Sequence, residues 1–160
     1  MKRLFLLILI LLVPIGGYLW YRQSPEQQVK STVDRFLENI EHRKISTRRK
    51  ADVHEALTKV LAPKVRFQGE SPIPNDELTI DDIILKIDQL HLLSNFFEIN
   101  EIEQRIQIIA NKAQVYRTID VRAAVGIGKN QYKAEETWEL IIDLEKEHDW
   151  RITGVRGTKP

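Results

Sequence analysis

Apolar residues follow three regimes along this chain. Between Leu4 and Tyr21 there are 18 residues without a charge. Apolar positions then recur every three or four residues as far as His91, and every second residue from Asn100 onward. The middle regime predicts helices. Ser24-Pro25-Glu26-Gln27 supplies an N-cap serine, a proline at the first helical position and a glutamine completing a capping box. Val29, Val33, Phe36, Leu37 and Ile40 then share one face to about His42. A second helix over about 47–61 buries Val53, Leu57, Val60 and Leu61 and pairs with the first as a hairpin. Residues 64–68 read as a short strand and 69–75 as a loop with Pro72 and Pro74. Thr79 with Asp82 caps a third helix, on which Ile80, Ile83, Ile84, Ile87, Leu90 and His91 share a side.

The period of two that follows predicts a four-stranded antiparallel meander. A turn at Asn111-Lys112 sets Ile108 opposite Val115 and Ile102 opposite Val121. One at Gly128-Lys129 sets Val125 opposite Tyr132, Ala123 opposite Ala134 and Ile119 opposite Trp138. One around Lys146 to His148 sets Leu144 opposite Trp150 and Ile142 opposite Ile152. In each register the apolar faces coincide, and a slip by one residue would turn them all to solvent. The other face carries Glu101, Glu103, Arg105, Gln114, Thr118, Asp120, Arg122, Lys133, Glu135 and Glu139. Such a sheet needs cover on one side only, which the three helices supply. The expected fold class is therefore α+β: an N-terminal transmembrane helix, then three helices on one face of a curved, mainly antiparallel sheet in the order α-α-β-α-β-β-β-β.

Charge divides the chain in two. Lys2 and Arg3 precede the uncharged run and Arg22 follows it, while the remainder holds 21 basic and 23 acidic residues, a net of −2. At 1.5 Å per residue, residues 4–21 span roughly 27 Å as a helix, close to the thickness of a bilayer core. Export with cleavage is the alternative, but cutting after Gly16 or Gly17 would put Pro14 or Ile15 where a small residue is needed. Trp20 and Tyr21 sit where interfacial aromatics belong. Residues 1–22 therefore read as an uncleaved anchor with the lipid bilayer as partner, and residues 23–160 as one domain. Positive charge before the run places the N-terminus in the cytoplasm and the domain outside it, on a single-pass inner-membrane protein; the alternative leaves the domain inside, because Lys30, Arg35 and the later basic cluster weaken the charge bias. A near-neutral domain argues against nucleic acid as a partner. The absence of cysteine excludes disulfides, thiolate metal sites and a cysteine nucleophile. His42, His54, His91 and His148 are scattered, so no metal site and no cofactor is expected. Arg43, Lys44, Arg48, Arg49 and Lys50 form a basic cluster that reads either as a solvated inter-helix loop or as a dock for anionic lipid or an acidic partner.

Helix, helix, short strand, helix and a long meander, closed by Thr137-Trp138, Leu144 and Asp149-Trp150-Arg151-Ile152 to Val155, resembles the nuclear transport factor 2-like superfamily, the cone-shaped α+β or SnoaL-like fold. The resemblance implies a fold rather than one activity, because the superfamily includes isomerases, dehydratases, polyketide cyclases, ligand binders and interaction modules. It also implies a cavity between sheet and helices. By the register above, Gln104, Arg117 and Glu136 point inward, Trp138 lies diagonal to Arg117 and within stacking reach, His91 sits where it closes the cavity, and Tyr132 lies near the rim. These six residues are the candidate ligand-binding set, with Arg117 as the charge for an anionic or carbonyl-bearing ligand. The other reading has Arg117 and Glu136 snorkelling to water at the open rim. Enzymes of the superfamily place a base inside the cone. Asp120 and Asp143 point outward here, so only Glu136 and His91 are candidates for a catalytic base or acid, and no catalytic residue is assigned.

The expected function is a membrane-tethered, non-enzymatic interaction or small-ligand-binding module, its partner a protein or a small hydrophobic or anionic ligand. The alternative is a tethered isomerase, dehydratase or cyclase of the SnoaL or ketosteroid-isomerase type. One anchor followed by such a domain resembles the layout of assembly subunits in bacterial secretion machines. The charged outer face of the sheet predicts no tight dimer through that face.

Overall fold

The computed structural model describes residues 24–41, 50–125 and 132–160. The anchor expected at residues 1–22, most of the basic cluster and the Gly128-Lys129 turn lie outside the described residues. Among the described residues no helix is long and apolar enough to cross a membrane.

Three helices pack on one face of a six-stranded sheet. In chain order the elements are α1 (Pro25–Ile40), α2 (Lys50–Val60), β1 (Leu61–Gly69), β2 (Asp76–Thr79), α3 (Ile80–Leu93), β3 (Ser94–Ile109), β4 (Lys112–Val125), β5 (Tyr132–Lys146) and β6 (Trp150–Thr158). The sheet order is β2-β1-β6-β5-β4-β3, antiparallel except where β1 runs parallel to β6. The core lies between helices and sheet. Val29, Val33 and Phe36 of α1, Leu57 of α2 and Ile83 and Ile87 of α3 meet Val115, Ile119, Trp138, Ile142, Trp150 and Ile152 from the strands.

Both expected helix caps form. The Ser24 hydroxyl accepts from the Gln27 N–H, and Thr79 and Asp82 make a reciprocal capping box. Helix α2 stops at Val60 instead of Leu61, because Pro63 forces Ala62 out of helical conformation and the chain passes straight into β1. Strand β2 was not expected. Its four residues are too short to show a period, and they are placed by pairing with β1, Val65 against Leu78. The Asn75 side chain closes the loop between β1 and β2 by donating to the Gly69 carbonyl at 3.0 Å and accepting from the Gly69 N–H at 2.9 Å.

The β4–β5 register is the expected one throughout, from Val125 against Tyr132 to Lys112 against Glu145. The other two hairpins differ from expectation by two residues next to their turns and by three beyond a register shift in each. The β3–β4 turn is Ala110-Asn111, so Ile106 rather than Ile108 faces Val115. Leu144 faces Ile152 rather than Trp150, and past a register shift between Asp143 and Leu144 Ile142 faces Val155 rather than Ile152. A slip of two keeps every side chain on its face, which is why apolar alternation could not tell the registers apart. Strand β3 also begins at Ser94, earlier than Asn100, and carries a bulge between Glu101 and Glu103. The extra residue reverses the pleat upstream of it: Glu101 pairs with Ile119 and turns to the helix-covered side, where the alternation had put it outward.

Candidate functional site

Among the described residues the buried charged side chain is Arg117, in the middle of β4, opposite Gln104 on β3 and Leu140 on β5. Its side chain is 3% exposed. One terminal nitrogen donates to Asp34 of α1, a very short contact, and also to Gln104 Oε1 at 2.5 Å. The other lies 3.1 Å from Glu101 Oε2. Asp34 reaches it because it flanks the apolar stripe of α1 beside Val33, and Glu101 because of the bulge. A buried guanidinium needs such partners. With two carboxylates on one arginine the group carries a net negative charge, so Arg117 has no positive charge to spare for an anionic ligand. Its Nε is buried without a hydrogen-bond partner among the described residues and is the donor left for a neutral acceptor.

The other five candidates do not converge on Arg117 as a set. Gln104 does, through its amide oxygen. Trp138 is buried opposite Ile119, and the cation over its ring is Lys159, at 5.0 Å from the centroid. Glu136 has the inward parity expected of it but is exposed at the rim, where it meets Lys159 Nζ at 2.9 Å and accepts from Trp138 Nε1 at 3.3 Å. The hydrogen bond from Lys159 holds the Glu136 carboxyl below its usual range, with Trp138 adding to the effect. A general base or acid working near neutral pH needs the opposite shift. The ring of His91 donates from Nε2 to the Ile40 carbonyl at 2.9 Å, tying the end of α3 to the end of α1. Tyr132 begins β5 opposite Val125.

Asp120 and Asp143 do face outward. Asp120 accepts from Thr137 at 2.7 Å, and Asp143 from Gln114 at 2.7 Å and from Arg156. The outer face also holds a shallow groove of about 440 Å³, into which Arg105, Tyr116, Glu139 and Arg156 project.

Asp34, Glu101 and Lys159 are the members that sequence reasoning missed. Asp34 could have been found as an acidic residue on the flank of an apolar helical stripe. Glu101 could have been found from the phase break in β3, where core-packed apolar residues change from an odd position, Ile99, to even ones, Ile106 and Ile108.

No protein-family model matches the sequence, and no curated protein matches it. Solved structures do. The chain is similar to an NTF2-like protein from Cytophaga hutchinsonii at 12% identity and TM-score 0.63, covering 86% of this chain and 100% of that one. An NTF2-like superfamily protein from Salmonella enterica serovar Typhimurium matches at 16% identity and TM-score 0.64, covering 84% and 89%. The CaMKII hub of S. rosetta matches at 12% identity and TM-score 0.64, covering 86% and 98%. At such identities the likeness concerns the path of the backbone, and on that ground this chain has the NTF2-like fold.

Proposed function

We propose that this chain is a non-enzymatic interaction or small-ligand-binding module, tethered to the inner membrane by residues 4–21 and lying on the extracytoplasmic side. The observation that carries the non-enzymatic part is the state of Arg117: its charge is neutralised by Asp34 and Glu101 within the fold. A filled interior supports the same reading, since Phe36, Trp138 and Trp150 are all buried in one core cluster. Neither candidate base supports catalysis, since Glu136 is held ionised by Lys159 and His91 is engaged with the Ile40 carbonyl. The tether rests on the uncharged run, its flanking Lys2, Arg3 and Arg22, and the interfacial position of Trp20 and Tyr21. Protein partners suit this interior better than small ligands do. A small ligand would have to be a neutral acceptor directed at Arg117 Nε.

Two measurements test the proposal. Because the chain has no cysteine, single cysteines at exposed Glu26 and Glu147 of the full chain report topology in intact cells. Labelling by an impermeant maleimide is expected, and protection until lysis would place the domain in the cytoplasm. Thermal shifts of the full chain and of Arg117→Ala are then compared across steroid-like, fatty-acid and polyketide-like ligands. No ligand is expected to stabilise the wild type by more than about 1 °C. Stabilisation of the wild type alone would establish a working pocket, favouring the ligand-binding arm over the protein-partner one and reopening the tethered isomerase, dehydratase or cyclase.

A further inference from the structure

We propose that the free edge of β3 pairs with the same edge of a second copy of this chain, antiparallel about a two-fold axis at Gln104. Strand β3 ends the sheet, with β4 as its strand neighbour. Its first half is attended: α1 and α3 lie against it, and the Ile99 N–H donates to the Glu41 carboxylate at 3.1 Å. Past the bulge, residues 103–109 pair with β4 on one side and face no described strand on the other. Alternate N–H and C=O groups along such an edge are unpaired and can template a further strand.

The side chains there select the strand. Ile102-Glu103-Gln104-Arg105-Ile106 reads the same in both directions except that the charge inverts about Gln104. Two copies paired antiparallel at that residue set Glu103 of each opposite Arg105 of the other, and Ile102 opposite Ile106. Glu103 and Arg105 are both exposed and share the outer face, and among the described residues neither belongs to an ion pair. Arg105 lies over the Tyr116 ring at 4.8 Å, which holds its guanidinium on that face. Ile102 is 57% exposed, a large apolar side chain that the bulge leaves in solvent. Moving the axis by one residue either way sets Glu103 against Glu103 or Arg105 against Arg105, and like charges directly opposite are destabilising. Charges that would repel most strands therefore specify this one. The bulge keeps the ladder short, so the dimer is weak and depends on concentration. It uses the sheet's edge and leaves the outer face open, and it does not rest on the tether.

The experiment uses full-length chain carrying Glu103→Cys or Arg105→Cys in a background without other cysteines. Directly opposite residues have Cα atoms within disulfide reach. Oxidation of an equimolar mixture is expected to give a disulfide-linked dimer containing one of each variant, at about ten times the yield of either variant oxidised alone. Arg105→Glu is expected to weaken wild-type self-association, read by analytical ultracentrifugation, roughly tenfold, and Glu103→Arg/Arg105→Glu to restore it. Equal crosslinking by the single variants, no crosslinking in the mixture, or no rescue by the double reversal would each overturn the proposal. So would preferential crosslinking at Thr118→Cys, which would place the contact on the face of the sheet.

Discussion

Removing the arginine from the Arg117 cluster should cost less than removing its acids, although the arginine makes every contact. Arg117 is 3% exposed, whereas Asp34 and Glu101 are 36% and 37% exposed. In Arg117→Met the thioether fills much of the volume, and the two carboxylates rotate to water at the rim. The loss is the hydrogen bonding to a charged group, discounted for screening, about 1–2 kcal/mol. In Asp34→Ala/Glu101→Ala the guanidinium stays where it is, buried with Gln104 as its partner. An uncompensated buried charge costs about 3–5 kcal/mol. The double variant should therefore be less stable than Arg117→Met by about 2 kcal/mol, a factor of roughly thirty in the folding equilibrium. Each single acid variant should fall between wild type and the double, because the second carboxylate still compensates. Urea unfolding of the full chain followed by tryptophan fluorescence reads this directly, Trp138 and Trp150 being buried. If Arg117→Met proves less stable than the double variant, Arg117 is held by packing and the account of the cluster is wrong.

Three further outcomes follow from local geometry. A Cβ on Gly69 would stand 2.3 Å from the Gly157 carbonyl oxygen, a clash with backbone that no rotamer relieves, so Gly69→Ala should lower stability by about 2 kcal/mol or more in the same urea assay. Ala110 has φ of 56° in the β3–β4 turn, a conformation that suits glycine, so Ala110→Gly should raise stability by about 1 kcal/mol, and a loss on that substitution would reject the turn. Lys159→Ala should raise the Glu136 carboxyl towards the ordinary value of 4.5, as followed by carboxyl NMR titration. Because the folded value is the depressed one, the stabilisation from this pair is present above pH 4.5 and fades as pH falls through it, so wild type and Lys159→Ala should converge in acid.

Local chemistry determined much of this molecule from the sequence alone. Ser24-Pro25 and Thr79 with Asp82 start their helices through side-chain bonds to backbone within one turn, and those signals survive any tertiary context. Alternation from Val115 to Ile152 fixed which face of the sheet is buried, because burial acts on every second residue whatever the pairing. It also placed Arg117 and Trp138 inside and Asp120 and Asp143 outside. Only the assembled structure decided the rest. Registers that differ by two bury the same residues, so turn geometry chose between them. The short β2 and the parallel pairing of β1 with β6 are contacts distant in sequence, with no periodic trace. The bulge at Ile102 decided the site, turning Glu101 inward to neutralise Arg117; the sequence shows a phase break between Ile99 and Ile106, and pairing with β4 fixes where in that interval the extra residue sits.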